Sequence, residues 1–232
     1  MTFSPRKLKA IIPARGGSKG VPKKNIRLLN DIPLIGYCIS EAKKCKNISK
    51  VYVSTDSSEI AIVAERYGAE IIDRPPQYAM DNSLDVDVMR HAVEYLDDHD
   101  DIVHLRATTP MVSCDILDKA VEYFAHNNQC TSLRSAHECP ESAYKFFQKN
   151  GLYWGGLFDD KMTGEYYNKP RQALPKTYHP NGYIDILRPS WFMENDSIHG
   201  DKILAFETPY AHEVDTLEDF KILEALYDQN KK

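Results

Sequence analysis

At 232 residues, with 42% hydrophobic and 27% charged residues, the chain can bury a sizeable core as one large α/β domain or two small ones. Its formal net charge of -5 argues against general nucleic-acid binding, which needs a basic face to displace counterions. No apolar run approaches the roughly 20 residues that span a bilayer, and the first residues lack a signal peptide's apolar core, so a cytoplasmic protein is expected.

In chain order, Leu8–Ala14 reads as a buried strand that ends where glycines begin. After Pro33, the residues Ile35, Cys38, Ile39 and Ala42 repeat at the spacing of a one-faced helix. "VYVST" at 51–55 is β-rich, and Asp56 with Glu59 reads as a capping pair opening the next helix. That helix carries Ile60, Val63, Ala64 and Tyr67 on one stripe and stops at Gly68. A strand at 69–72, a helix marked by Val86, Met89, Val93 and Leu96, and a strand at 102–105 follow. Ile116, Ala120, Val121 and Phe124 mark another helix, ahead of a strand near Thr131–Ser135.

Strand and helix thus alternate to about residue 136, the pattern of a mostly parallel sheet with helices on both faces. From Pro140 to Tyr183 the periodicity weakens and aromatic, Gly, Pro and Asn residues dominate. This segment is expected to leave the sheet as a lid, a substrate wall or a subunit contact. "YIDIL" at 183–187 returns to the sheet, and Leu217–Tyr227 forms a last helix with Phe220 and Leu223 inside. Cys38, Cys45, Cys114, Cys130 and Cys139 are scattered without a CxxC pair, which argues against a disulfide framework or a structural zinc site.

The chemistry gathers in "IIPARGGSKGVPKKNIR" at 11–27, where Arg15, Lys19, Lys23, Lys24 and Arg27 oppose the chain's acidic balance. Gly16, Gly17 and Gly20 let the backbone turn tightly and offer N–H groups to an anion, and adjacent Lys and Arg side chains add charge-assisted bonds. GxxxxGK[ST] fails because Val21-Pro22 follows Gly20, and GxGxxG fails on the glycine spacing. Ligands of such sheets bind outside the carboxyl ends of the strands, where this loop falls.

"PARGGSKGVPKKNI" resembles the signature of the CMP-sialic acid synthetases, the acylneuraminate cytidylyltransferases, which include legionaminic and pseudaminic acid enzymes. "PLIGYCI", "VYVSTDSSEIA", "YGAEIIDRP", "LRATTP", "PRQ", "PNGYIDI" and "HEVDT" follow in the family's order. The resemblance implies one Rossmann-like nucleotidyltransferase domain over 1–232, with 140–183 inserted, usually as a homodimer. It implies transfer of a cytidylyl group from CTP to an acylated nonulosonic acid, with Mg²⁺ as cofactor and no membrane or nucleic-acid partner. By motif position Arg15, Gly16, Ser18, Lys19, Lys24 and Asn25 hold the triphosphate and part of the nucleoside, with Lys23 left facing solvent.

Arg74 is assigned to phosphates or ribose, or else to a surface ion pair. Asp81 with Ser83 lies near the base or the reacting hydroxyl. Arg15, Lys19, Lys24 and Asp81 form the catalytic set, in which Asp81 is the candidate general base and attack without a protein base is equally admissible. In "HEVDT", where the family more often has two aspartates, Glu213 and Asp215 project from one face of an extended strand and suit Mg²⁺. The alternative is a solvated acid pair before a helix capped by Asp215 or Thr216. Arg106 replaces the glutamine of "QPTSP"; it grips the sugar carboxylate or signals a different nonulosonate. Arg171, Gln172 and Asn181 are further sugar candidates, with a subunit-interface ion pair as the other reading of Arg171. Other nucleotides, octulosonate or sugar 1-phosphate acceptors and a noncatalytic sensor remain the alternatives.

Overall fold

In a computed structural model, residues 6–229 are described. The chain order is β1 (Leu8–Pro13), β2 (Leu28–Leu29), β3 (Ile32–Pro33), α1 (Leu34–Lys44), β4 (Ile48–Thr55), α2 (Ser58–Arg66), β5 (Glu70–Asp73) and α3 (Asp85–Leu96). Then come β6 (Ile102–His104), α4 (Cys114–Ala125), β7 (Ser132–Glu138), β8 (Phe147–Asn150), β9 (Tyr153–Gly156), β10 (Tyr178–Leu187), α5 (Pro189–Phe192), β11 (Ile203–Glu207) and α6 (Leu217–Gln229). Seven strands form the central sheet in the order β11-β7-β10-β6-β1-β4-β5. Only β10 runs antiparallel to its neighbours, so the mostly parallel sheet read from the alternation is present.

The helices form because their apolar spacing gives each a single buried stripe. Ile35, Cys38, Ile39 and Ala42 of α1, Ile60 and Ala64 of α2, and Leu117, Ala120, Val121 and Phe124 of α4 pack on one sheet face. Met89, Ala92 and Val93 of α3 and Phe192 of α5 cover the other with Ile11, Tyr52 and Ile72. A third apolar cluster bears directly on the site. Val21 of the glycine-basic loop and Val214 of "HEVDT" are both fully buried with Leu29, Leu34, Phe220 and Leu223. One small core therefore fixes two segments nearly 200 residues apart in the chain, and burying each such side chain is worth about 1.5–3 kcal/mol.

Two expectations need correction. The α2 N-cap is Ser57, whose hydroxyl accepts from the Ile60 N–H; Asp56 does not cap. The excursion also ends earlier than Tyr183, because β10 begins at Tyr178. The sequence hides this start because pairing with β7 slips between Pro180 and Asp185. Pro180 opposes Ala136 and Asp185 opposes Arg134, so residues 181–184 bulge opposite Ser135 alone. Ser135 Oγ closes the bulge, donating to Asn181 Oδ1 and accepting from the Ile184 N–H, both at 2.9 Å.

Candidate active site

The carboxyl ends of β1, β4, β5 and β6 lie at one edge of the sheet, and each delivers a polar residue there. β1 leads into Arg15, β4 into Asp56, β5 into Arg74 and β6 into Arg106. The start of β10 brings the bulge to the same edge because that strand runs the other way.

The loop after β1 is tied down from within. Asp56 Oδ1 accepts from the Gly16 N–H at 2.8 Å, so this amide is engaged by protein, against the expectation that it faces an anion. A side chain at residue 16 would press on Ser57. Asn25 is buried and donates to the Arg15 carbonyl at 3.0 Å, which makes it a support of the loop. Ser18 is half-buried, with its N–H donating to the Gly16 carbonyl. Lys23 adopts a left-handed φ of 52° and pairs outward with Glu59, in keeping with its solvent-facing assignment.

The loop and the acidic segment meet. Lys24 Nζ donates to the Val214 carbonyl at 2.8 Å and to Asp215 Oδ1 at 3.0 Å. Gly20 lies so close to the Asp215 carbonyl that a Cβ there would collide with it. Residues 208–215 are outside any strand, so the extended strand expected for Glu213 and Asp215 is a strandless segment, pinned by Val214 N–H to the Thr108 carbonyl. Glu213 and Asp215 line one cavity of about 550 Å³ with His137, His179, Asn181 and Tyr210. Of the two capping candidates, Thr216 serves α6: its Oγ1 accepts from the Asp219 N–H while Asp219 accepts from the Thr216 N–H.

Burial pushes the Glu213 carboxyl up, Arg106 pulls it down, and the Asp215 charge pushes it up again, for a net rise. A carboxylate raised in the folded state stabilises least when ionised. Its penalty is absent below the unfolded-state pKa and complete once pH passes the raised value. Glu213→Gln in metal-free buffer is therefore expected to melt above wild type at pH 8, with the gap closing as pH falls into the carboxylate range. Thermal melts across pH check this, and a gap that widens toward acid pH contradicts it.

A second cavity, about 290 Å³, is lined by Arg15, Arg74, Tyr78, Asp81, Ser83 and Asp85. Asp81 bridges Arg15, at 2.9 Å, and Lys19. Lys19 and then Arg15 draw its pKa down, which makes it a poor proton acceptor. Among the described residues Arg74 makes no surface ion pair. It is buried, with Nε donating to Ser54 Oγ at 3.0 Å and Nη2 to the Ser54 carbonyl, and burial draws its pKa down to about 10. Ser83 Oγ closes its own turn, accepting from the Met80 N–H and donating to the Gln77 carbonyl.

Arg106 lies near one residue of each cavity, Asp85 of the one and, across Gly182, Glu213 of the other. Nη1 donates to Asp185 Oδ2 at 2.8 Å, and Nη2 lies 3.6 Å from Asp85. Burial works against its charge, but Asp185, Asp85 and Glu213 outweigh that and raise its pKa. Gly182, at φ 61°, brings the bulge against Arg106, Thr109 and Glu213, and a Cβ there would strike Glu213 Oε1. Gly182→Ala is expected to cost about 1–3 kcal/mol of stability from the left-handed backbone and displaced carboxylate together. Denaturant titration checks this, and a loss under 0.5 kcal/mol, roughly that of an ordinary surface change, contradicts it.

Asn181 is buried and engaged at both ends, accepting from Ser135 and donating to Thr208 Oγ1 at 2.6 Å, so it anchors the bulge beside the cavity. Arg171 and Gln172 line a neighbouring cavity of about 410 Å³ that shares Cys139 with the acid-lined one, and Arg171 pairs there with Glu138 at 3.1 Å within the chain. The sequence patterns do not single out Asp85 or Asp185, and they read Asp56 only as a helix cap. The available signal for Asp56 is its place at the carboxyl end of a strand beside β1.

A cationic loop at the end of the first strand, fastened to a remote acid pair, defines an α/β nucleotidyltransferase. The chain belongs to the cytidylyltransferase family, whose profile matches residues 9–166. It is 33% identical over 230 residues to the pseudaminic acid cytidylyltransferase of Campylobacter jejuni subsp. jejuni serotype O:2, covering 95% of this chain and 96% of that one. It is also 33% identical over 221 residues to the CMP-N,N'-diacetyllegionaminic acid synthase of the same organism, covering 92% of each. The solved structure of CMP:2-keto-3-deoxy-manno-octonic acid synthetase complexed with CTP shares the fold, with a TM-score of 0.72 and 17% identity over 97% of this chain and 99% of that one.

Proposed function

We propose that this chain joins CTP to an acylated nonulosonic acid, giving the CMP-sugar and pyrophosphate. The observation that carries the reading is the Lys24–Asp215 contact, which brings the glycine-basic loop to the acidic segment. The relatives' names supply the nucleotide and the acceptor class. The anomeric hydroxyl oxygen bonds to the α-phosphorus, the bond to the oxygen bridging the α- and β-phosphates breaks to release pyrophosphate, and the hydroxyl proton passes to solvent. Such a transfer asks the protein for position and charge neutralisation rather than covalent chemistry.

In this reading the triphosphate displaces the Asp81 carboxylate from Arg15 and Lys19, and Lys24 stays at the junction with Asp215. Asp81 bridges the two cations before nucleotide arrives and offsets their mutual repulsion, and the transfer is read as proceeding without a protein base. Arg74 shapes the floor from within, while Arg106 faces the acceptor's carboxylate.

Among the described residues no group of three His, Cys, Asp or Glu side chains is placed to hold a metal ion. The Glu213 and Asp215 carboxylates, which line one cavity, nevertheless suit Mg²⁺, which takes its other ligands from phosphates and water. Glu213 and Asp215 would hold the ion, which when bound counters the triphosphate's charge. No helix among the described residues is long and apolar enough to cross a membrane. The β8–β9 hairpin supports a homodimer: Leu152 is 92% and Trp154 69% exposed at its tip, beyond what a solvated turn needs.

Pyrophosphate release tests the reaction, using CTP, UTP and GTP with neuraminic, legionaminic, pseudaminic and octulosonic acids and with a sugar 1-phosphate. CTP with one nonulosonic acid is expected to turn over fastest. Preference for another base, or for octulosonate or a sugar 1-phosphate, overturns the assignment.

A further inference from the structure

Behind Arg106 lies a carboxylate set into an apolar run. Asp185 stands on β10 between Ile184 and Ile186, opposite His104 of β6 and Arg134 of β7, and its side chain is 1% exposed. Its Oδ2 accepts from Arg106 at 2.8 Å. Arg134 Nε lies 3.8 Å from Oδ1, which has no hydrogen-bond partner of its own. His104 Nδ1 is 3.7 Å away, but burial, then Arg106, keeps that ring well below its ordinary pKa and uncharged. One carboxylate thus faces two guanidinium groups.

Stability does not account for this arrangement, because a buried ion pair is generally no more stable than apolar residues of the same volume. Geometry does. Asp185 takes one nitrogen of the guanidinium, and a planar fork held at one edge has little freedom left. Gly182 then lets Arg106 and Glu213 approach each other across the bulge. Of the remaining nitrogens Nη2 lies 3.6 Å from Asp85, which lines one cavity, and Glu213, which lines the other, also favours the arginine's charge.

We propose that Asp185 is a positioning residue for acceptor recognition: it fixes Arg106 so that the remaining N–H groups meet the carboxylate of the sugar acid. This rests on the cytidylyltransferase reading above. Neutral sugars lack the group that the held arginine recognises, so the Arg106–Asp185 unit selects sugar acids.

The test is steady-state kinetics with CTP and the preferred nonulosonic acid for wild type, Asp185→Asn, Asp185→Glu, Arg106→Gln and the Arg106→Gln/Asp185→Asn double variant. Asp185→Asn is expected to raise the sugar KM at least tenfold while the CTP KM stays within twofold. Asp185→Glu, which keeps the charge, is expected to recover most of that loss. The double variant is expected to match Arg106→Gln, since Asp185 acts only through Arg106. That comparison can still overturn the role of Asp185 if Asp185→Asn alone does not fold, because the double variant leaves neither Arg106 nor a buried carboxylate unpaired. An unchanged sugar KM in Asp185→Asn, equal rises in both KM values, or a double variant tenfold worse than Arg106→Gln overturns the role of Asp185. Wild type inactive with CTP and every nonulosonic acid overturns the underlying reading instead.

Discussion

Lys24→Ala is expected to lower kcat/KM by roughly 30- to 1,000-fold, about 2–4 kcal/mol of transition-state stabilisation. Its side chain is 16% exposed, and its ammonium already makes two bonds to the acidic segment. Removing it takes a cation from the junction and unfastens the loop from Val214. Lys24→Met separates the ammonium from the packing of the side chain, because it keeps the alkyl stem and loses the charge together with both hydrogen bonds. Met is expected to be as impaired as Ala, with melting close to wild type because the Val21–Val214 core remains. A Met variant within tenfold of wild type would show that packing matters and charge does not. Lys19→Ala should move the same way by less, since its side chain is 77% exposed and its pairing is screened by water.

The second large effect belongs to the acids. Asp215→Asn and Glu213→Gln are each expected to cut kcat by roughly 10²–10³-fold, about 3–4 kcal/mol, a loss on the scale of removing one preorganised charge-stabilising contact. The change is isosteric, so the bulge and the α6 cap, built on Thr216 and Asp219, stay in place. Nucleotide binding should survive in part, because Arg15, Lys19 and Lys24 remain. Calorimetry with CTP and Mg²⁺, beside single-turnover rates, separates the two. If turnover stays near wild type while CTP binding is lost, the acids only shape the pocket and the metal assignment fails.

Much of the fold is legible in the sequence because its helices are one-sided. Ile35, Cys38, Ile39 and Ala42 return every three or four residues, and all four are buried. The glycine-basic loop is legible for a similar reason: its charge opposes the chain's, and it follows a mostly buried, mostly apolar strand. What the sequence hides depends on non-local pairing. Nothing local says that β10 inserts antiparallel between β6 and β7, or that four of its residues bulge opposite Ser135. Asp56 is misread because the spacing of Asp56 and Glu59 fits a capping pair as well as it fits a clamp on Gly16. Asp185 is passed over because one acid inside "YIDIL" looks like an interruption, until the sheet register sets it against Arg134 and His104. The polar candidates Asn25, Ser83 and Asn181 are found near the site, but hydrogen bonding turns each toward the protein framework.

The most direct test is a crystal structure with CTP and Mg²⁺. The expected density places the triphosphate against Arg15, Lys19 and Lys24, with the ion between it and the Glu213 and Asp215 carboxylates and Asp81 withdrawn. Phosphates seated away from that loop, or both acids turned from them, would contradict the account.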